Sequence, residues 1–348
     1  MKHRLLFVAL GLLAAMPLVH AETACKPAVS PSKRIVLLVD EIKQIRSFPV
    51  VVAERLGYLC DDGYAVTVMN IRDEVSKDEL LMDGRIDAVM AYYHHNVVNQ
   101  SQGRSTQAIV GLGVTPGMKV VIANQAKDKY RTVADLKGSR IIAGGAGSSK
   151  TTTANMLLIA GGHAIGDYTR IANESKDKIV AALKNGEADL VIAPTPDASF
   201  YEAQGVATTF VDLTTPEGTK REFGTLFPSN TIYMSSERIR SNPEMARHLA
   251  RAFVRTLQFI NTHTPEEILA VIPVEVSGKD RTAYLQVLKE QIPMFANDGR
   301  IPRDGAEKEW RVLADFNPRY RSVKVEDTYT NRFVDDALQA LATTPAPR

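Results

Sequence analysis

The sequence predicts an α/β fold of two similar Rossmann-like lobes, joined by a hinge of crossing strands, with a ligand cleft between them. Three observations predict it. "LMDGRIDAVMA" at residues 81–91 and "LKNGEADLVIA" at 183–193 share the pattern L-x-[DN]-G-x-x-D-[AL]-V-x-A, 102 residues apart. Each copy reads as a helix end, a glycine turn and a buried strand. Each also closes a run of strand, helix, strand, helix, strand, which calls for parallel crossovers. Between the runs, "QAIVGLGVTPGMKVVIAN" at 107–124 reads as two strands around Thr115-Pro116-Gly117, the form of a connection between lobes.

The elements follow in chain order. Residues 1–21 read as a secretory signal peptide: Lys2 and Arg4, then 15 apolar residues from Leu5 to Val19, then a small-residue site with the cut after Ala21. That run is short for about 30 Å of hydrocarbon. Residues 22–24 before Cys25 make a poor lipobox. Export places the mature chain in the periplasm, where ATP is not available to be spent. Cleavage removes two basic residues and no acids, so 42 Lys and Arg against 40 Asp and Glu become 40 of each. A neutral chain has no charge-driven reason to bind nucleic acid or anionic lipid. Cys25 and Cys60 are the only cysteines, and an oxidising compartment leads us to expect them paired.

Residues 22–33 form an N-terminal arm, and 34–116 the first part of lobe 1. "IVLLVD" at 35–40 is an apolar strand. A helix from about Phe48 has Pro49 in its first turn and Gly57 past its end. "AVTVMN" at 65–70 is a second strand, and Ser76 with Glu79 makes a capping box. Lobe 2 spans 117–232, with strands "RIIAGG" at 140–145 and "YTRIAN" at 168–173. "NTIYMSS" at 230–236 carries the chain back, and 233–340 completes lobe 1 with helices that include "PEMARHLARAFVRTLQFINT" and "NRFVDDALQAL". Residues 341–348 form a frayed tail.

"AGGAGSSKTTTANML" at 143–157 tests a nucleotide-loop reading. A Walker A loop needs glycine directly before its lysine; here Ser149 precedes Lys150. What remains is a Gly-rich turn opening a helix, whose free N–H groups and dipole attract anions.

Ligands of open α/β sheets sit beyond the carboxyl ends of the strands. Four strand-end loops therefore face one cleft: 40–48 and 92–96 from the first lobe, 144–151 and 194–197 from the second. The candidate ligand-binding residues are Gln44, Arg46, Ser47, Phe48, Tyr92, Tyr93, His94, Thr115, Gly147, Ser148, Ser149, Lys150, Thr151, Thr195, Asp197 and Asn230. Arg46 can grip an acid group bidentately or serve as a surface salt bridge. The hydroxyls at 148–151 can donate to an anion or simply cap a helix. Tyr92 and Tyr93 can stack on a planar body, with one of the two in the core. His94-His95 lacks nearby carboxylates or cysteines to complete a metal set, so neither metal nor cofactor is expected. Asp40, Glu41 and Asp197 are the alternatives for a ligand amine. Asp87 and Asp189 precede their strands, lie away from the cleft and read as structural. The chain reads as a secreted, two-lobed, hinged trap for a small solute.

The features "PVVVAERLGYL", "LLMDGRIDAVMA", "TVADLKGSRIIAGGAGSS", "LKNGEADLVIA" and "YTNRFVDDAL" resemble periplasmic substrate-binding proteins of ABC transporters. The branch is the one that handles nitrate, sulfonates, taurine and thiamine-pyrimidine precursors. The resemblance runs over nearly the whole mature chain. It implies the type II periplasmic binding protein fold and delivery of ligand to an inner-membrane permease; we expect a monomer. It does not imply which ligand. A thiamine-pyrimidine synthase shares this fold but uses a cysteine-rich iron motif, which two cysteines cannot reproduce. A G-x-S-x-G elbow is also missing, so we do not expect an enzyme. A ligand sensor for a signalling partner is the alternative to transport.

Overall fold

A computed structural model of the chain describes residues 30–70, 76–146 and 148–343. The expected signal peptide and cleavage site, Cys25 and the tail from 344 onward lie outside the described residues. Two five-stranded sheets organise the chain. The strands are β1 (Arg34–Val39), β2 (Ala65–Asn70), β3 (Ala88–Tyr92), β4 (Thr106–Gly111), β5 (Met118–Ala123), β6 (Arg140–Ile142), β7 (Thr169–Ile171), β8 (Leu190–Pro194), β9 (Ala207–Leu213) and β10 (Asn230–Ser235). The sheet orders are β2-β1-β3-β10-β4 and β7-β6-β8-β5-β9. In the first, β1 runs parallel to β2 and β3, while β10 is antiparallel to β3 and β4. In the second, β6 runs parallel to β7 and β8, while β5 is antiparallel to β8 and β9. The lobes are thus topological copies that exchange one strand: β5 arrives from the first lobe, and β10 returns from the second.

The helices are α1 (Phe48–Arg55), α2 (Lys77–Met82), α3 (His94–Ser101), α4 (Ser149–Ala160), α5 (Lys176–Asn185), α6 (Thr195–Ala203), α7 (Pro216–Phe223), α8 (Ser236–Ser241), α9 (Pro243–Thr262), α10 (Pro265–Ala270), α11 (Val274–Ser277), α12 (Arg281–Gln291), α13 (Arg303–Phe316) and α14 (Arg332–Thr343). Among the described residues, no helix is long and apolar enough to cross a membrane. Sheets covered on both faces by helices explain why β3 and β8 are almost continuously apolar and buried. The apolar stripes of α9 and α14 close over the first sheet, with Phe253, Leu257, Phe333 and Val334 in one core with Leu37 and Ile109.

The repeat has a physical basis. Its glycines, Gly84 and Gly186, take φ values of +69° and +72° after α2 and α5, where a side chain would be strained. Its aspartates fasten the neighbouring strand of each sheet, β1 or β6. Asp87 Oδ2 accepts from the Val36 N–H at 2.9 Å, and Asp189 Oδ2 accepts from the Arg140 N–H at 2.8 Å. In return, the N–H of each aspartate donates to the carbonyl of the same residue, Val36 or Arg140. Both carboxylates also hold an arginine, Arg238 and Arg140 respectively.

Two boundaries differ from the sequence expectation. The break expected at 232 falls inside β10, all of which belongs to the first sheet; the second crossing precedes it, after Leu213. Strand pairing, invisible in the local pattern, decides this. Nor does the segment after β10 pack on the first lobe alone. Ala306 and Leu313 of α13 enter a first-lobe core, but Val312 enters the second-lobe core and Lys308 Nζ donates to the Phe223 carbonyl. The helix carries two apolar stripes and spans both lobes.

Candidate functional site

The carboxyl ends of β1, β3, β6 and β8 lead into the four loops that sequence reasoning placed around a cleft. Beyond β1 a short turn, Ile45–Ser47, presents half-buried Arg46 and runs into α1. Beyond β3 come Tyr92 and the start of α3. Beyond β6 the Gly-rich turn ends at Ser148, which caps α4 by accepting from the Thr151 N–H at 3.3 Å. Beyond β8, Pro194 passes directly into α6.

Tyr92 joins the lobes. Although it belongs to β3, its ring packs against the second-lobe core. Its hydroxyl donates to the Pro116 carbonyl at 3.4 Å and lies near the Ser149 side chain. Burial pushes its phenol pKa up; the Arg46 charge and the Ser149 contact pull it back, and Glu309 adds to the rise. Arg46, Tyr92 and Ser149 are therefore neighbours across the cleft. Asn230, opposite Tyr92 in the β3–β10 pairing, is fully buried, and among the described residues neither atom of its side-chain amide has a hydrogen-bond partner. Thr195, buried at the start of α6, accepts from Gln291 Nε2 on α12.

The cleft charges are unequally matched. Asp40 pairs with Lys77 at 3.5 Å, and Asp197 with Lys176 at 2.6 Å. Lys150 Nζ donates to Asn173 Oδ1 at 3.1 Å; burial pulls its pKa down, partly offset by Asp197. Among the described residues, Arg46 has no carboxylate within salt-bridge distance. His94 is buried at 3% exposure, with its ring stacked on His95 at 4.5 Å and Nδ1 3.9 Å from Glu309 Oε1. Among the described residues, no three His, Cys, Asp or Glu side chains are grouped to hold a metal.

Other candidates are committed to structure. Tyr93 is the core tyrosine of the pair: its hydroxyl meets Thr328 Oγ1 at 2.5 Å and its ring meets Tyr329 edge-on. Phe48 is buried against Phe295, with ring centroids 5.9 Å apart. Ser47 donates to the Glu41 carbonyl at 2.8 Å. Thr115 ties the first crossing to the Thr214 carbonyl at 3.4 Å and accepts from the Gly117 N–H. Thr151 folds the Gly-rich turn by hydrogen-bonding the carbonyls of Gly144 and Gly145, each at 2.9 Å. Gln44 is exposed, and Gly147 lies outside the described residues. Sequence reasoning missed Glu309, Gln291 and the Pro116 carbonyl. Nothing local marks them, because α12, α13 and the crossing reach the cleft only through tertiary packing.

Comparisons with known proteins bear on the family and the fold. The family model described as NMT1/THI5 like matches residues 44–268, well over half of the chain. No curated protein matches the sequence. Among solved structures, a protein of Bordetella bronchiseptica RB50 is 25% identical with a TM-score of 0.72; the match covers 89% of this chain and 98% of that one. The periplasmic aliphatic sulphonate binding protein SsuA of Escherichia coli is 16% identical with a TM-score of 0.65, covering 86% of this chain and 92% of that one. The desulfurization enzyme DSZB is 14% identical with a TM-score of 0.58, covering 88% of this chain and all (100%) of that one. The last two share a fold with this chain, the two-lobed architecture of type II periplasmic binding proteins.

Proposed function

The chain belongs to the NMT1/THI5-like family, and from that premise we propose that it is the solute-binding component of an ABC importer. It captures a small organic anion between its lobes and delivers it, as a periplasmic monomer, to a membrane permease. The observation that carries this reading is Arg46, a guanidinium with no carboxylate partner among the described residues, set beside Tyr92 and facing the start of α4. A charge taken out of water needs compensating donors, and here the arginine comes from one lobe and the helix terminus from the other. The fold similarity to a sulphonate-binding protein supports the same class of ligand. Catalysis is the second reading, since a desulfurization enzyme shares the fold. We favour binding because the buried hydroxyls of Ser47, Thr115 and Thr151 are committed to backbone groups, which suits a scaffold better than a nucleophile.

Native mass spectrometry of protein purified without refolding should show a bound small anion, recovered chemically unchanged after incubation. A neutral or cationic ligand would overturn the anion reading, and a converted one the non-enzymatic reading. Small-angle scattering should show compaction on ligand addition, as hinge closure requires; an unchanged radius of gyration at saturation speaks against closure.

We also propose that the exported chain begins at Glu22 and that Cys60 pairs with Cys25, fastening the N-terminal arm to the turn after α1. Closing a loop of about 35 residues is worth on the order of 3–4 kcal/mol in the chain-entropy model. Reduction should lower the thermal midpoint, and peptide mapping should recover the cross-linked pair. Two free thiols in periplasmic protein would exclude it.

A further inference from the structure

Glu309 is a buried acid that the ligand reading leaves unused. It projects from α13 at 1% exposure, and among the described residues neither of its carboxyl oxygens has a hydrogen-bond partner. Among the described residues, the neighbouring elements supply no compensating charge. From α3, His94 Nδ1 lies 3.9 Å away, beyond the roughly 2.7–2.9 Å of a charge-assisted hydrogen bond. His95, stacked behind it, is kept neutral by burial, then by His94 and Lys77. From β3, Tyr93 is bonded to Thr328 and Tyr92 reaches toward Pro116 and Ser149. On α4, Lys150 is engaged with Asn173. On the turns packed against α13, Arg319 donates to the Tyr320 hydroxyl, and Glu326 and Asp327 are exposed. On α13 itself, Lys308 is engaged with the Phe223 carbonyl and Arg311 lies 3.8 Å from Glu307. A carboxyl in such a place is held in its neutral form, and burial accordingly pushes its pKa well above the ordinary carboxylate range.

We propose that Glu309 is a specificity-determining residue: held uncharged behind Tyr92 and His94, it leaves Arg46 the dominant charge at the cleft and so admits an anion. This rests on the anion reading of the cleft. Tyr92 is the intermediary, since its hydroxyl lies within electrostatic reach of both Arg46 and Glu309. A negative charge at Glu309 would act on the ligand across a poorly screened interior, where charges interact over several ångströms.

The test compares the wild type with Glu309→Gln in two ways. The first needs no ligand. An acid whose folded pKa is raised contributes its stability below the unfolded carboxyl range and loses it as pH rises toward the folded value. The midpoint of Glu309→Gln minus that of the wild type should therefore grow from pH 5 to pH 9. A flat difference, or a Gln variant less stable near neutrality as an ion pair with protonated His94 demands, overturns the proposal. The second measures nitrate, ethanesulfonate and benzoate by calorimetry at pH 6 and pH 9. At pH 6 Glu309→Gln should bind the best-bound anion as the wild type does, and any loss of affinity toward pH 9 should be confined to the wild type. An equal loss in both proteins overturns the proposal and leaves the anion reading standing. No binding of any of the three by either protein at pH 6 removes the anion reading, and the proposal with it. Should the Gln variant fail to fold, Glu309→Leu gives the same comparison.

Discussion

Asp189→Ala is expected to destabilise the protein by about 2–4 kcal/mol, through the loss of the hydrogen bonds made to a buried carboxylate. The carboxylate is 4% exposed. It accepts from the Arg140 N–H at 2.8 Å, from Arg140 Nε at 3.1 Å and from Nη2 at 2.6 Å. Removing it leaves the first N–H of β6 without its acceptor, beside a small cavity. The guanidinium matters less, because its side chain is 40% exposed and water can replace the partner. In melting experiments the midpoint should fall by roughly 5–10 °C, and Asp87→Ala should behave alike in the first lobe. The pH dependence has a definite sign. Burial alone would raise the Asp189 pKa, but hydrogen bonds from the Arg140 side chain and backbone outweigh it and hold the carboxyl below its usual range. A depressed folded pKa means that the contribution is present above the unfolded carboxyl range and is lost as pH falls through the folded value. The gap between wild type and variant should thus close on acidification below about pH 4. A variant that melts with the wild type at pH 7 would remove the aspartate from any structural role.

These aspartates show why the fold was legible. A glycine that must take positive φ, an acid that must meet the neighbouring strand of the sheet, and an apolar strand between helices are demands each motif carries. They are written at fixed spacing in both copies of the motif, and the 20-residue helix α9 is equally plain from its apolar period. The cleft was legible only in part. Strand ends located its loops, but Tyr92 and Tyr93 differ by one position, and neighbouring residues at a strand end take opposite sides of the sheet. Their order in the sequence does not say which side meets the other lobe. Asn230 was placed at the return crossing, but its unsatisfied amide is a property of the packed interior. Glu309 sits in an ordinary amphipathic helical pattern. Only the docking of α13 across both lobes puts its carboxyl beside His94.

Arg46→Ala should weaken binding of the co-purified anion tenfold to more than a hundredfold, since charge-assisted hydrogen bonds contribute about 1.5–3 kcal/mol each. The reason is positional as well as electrostatic. Asp40 and Asp197, the acids of the opposing loops, are neutralised by Lys77 and Lys176, so Arg46 is not competing for the ligand with an acid of its own. Its guanidinium can offer two parallel donors, whereas Arg46→Lys supplies a point charge without that fork. The lysine variant should therefore fall between wild type and alanine. The lost contact belongs to the first lobe, while the helix start at Ser148 and Ser149 belongs to the second. A ligand held by only one lobe gives little preference for the closed form, so Arg46→Ala should also show less compaction in scattering at equal occupancy. Lys184→Ala, at an exposed position on α5, should change neither quantity. A dissociation constant for Arg46→Ala within about twofold of wild type, too small for the loss of even one such hydrogen bond, would make Arg46 a surface residue. The anion would then have to be held by the α4 terminus with Asn230 and Thr195.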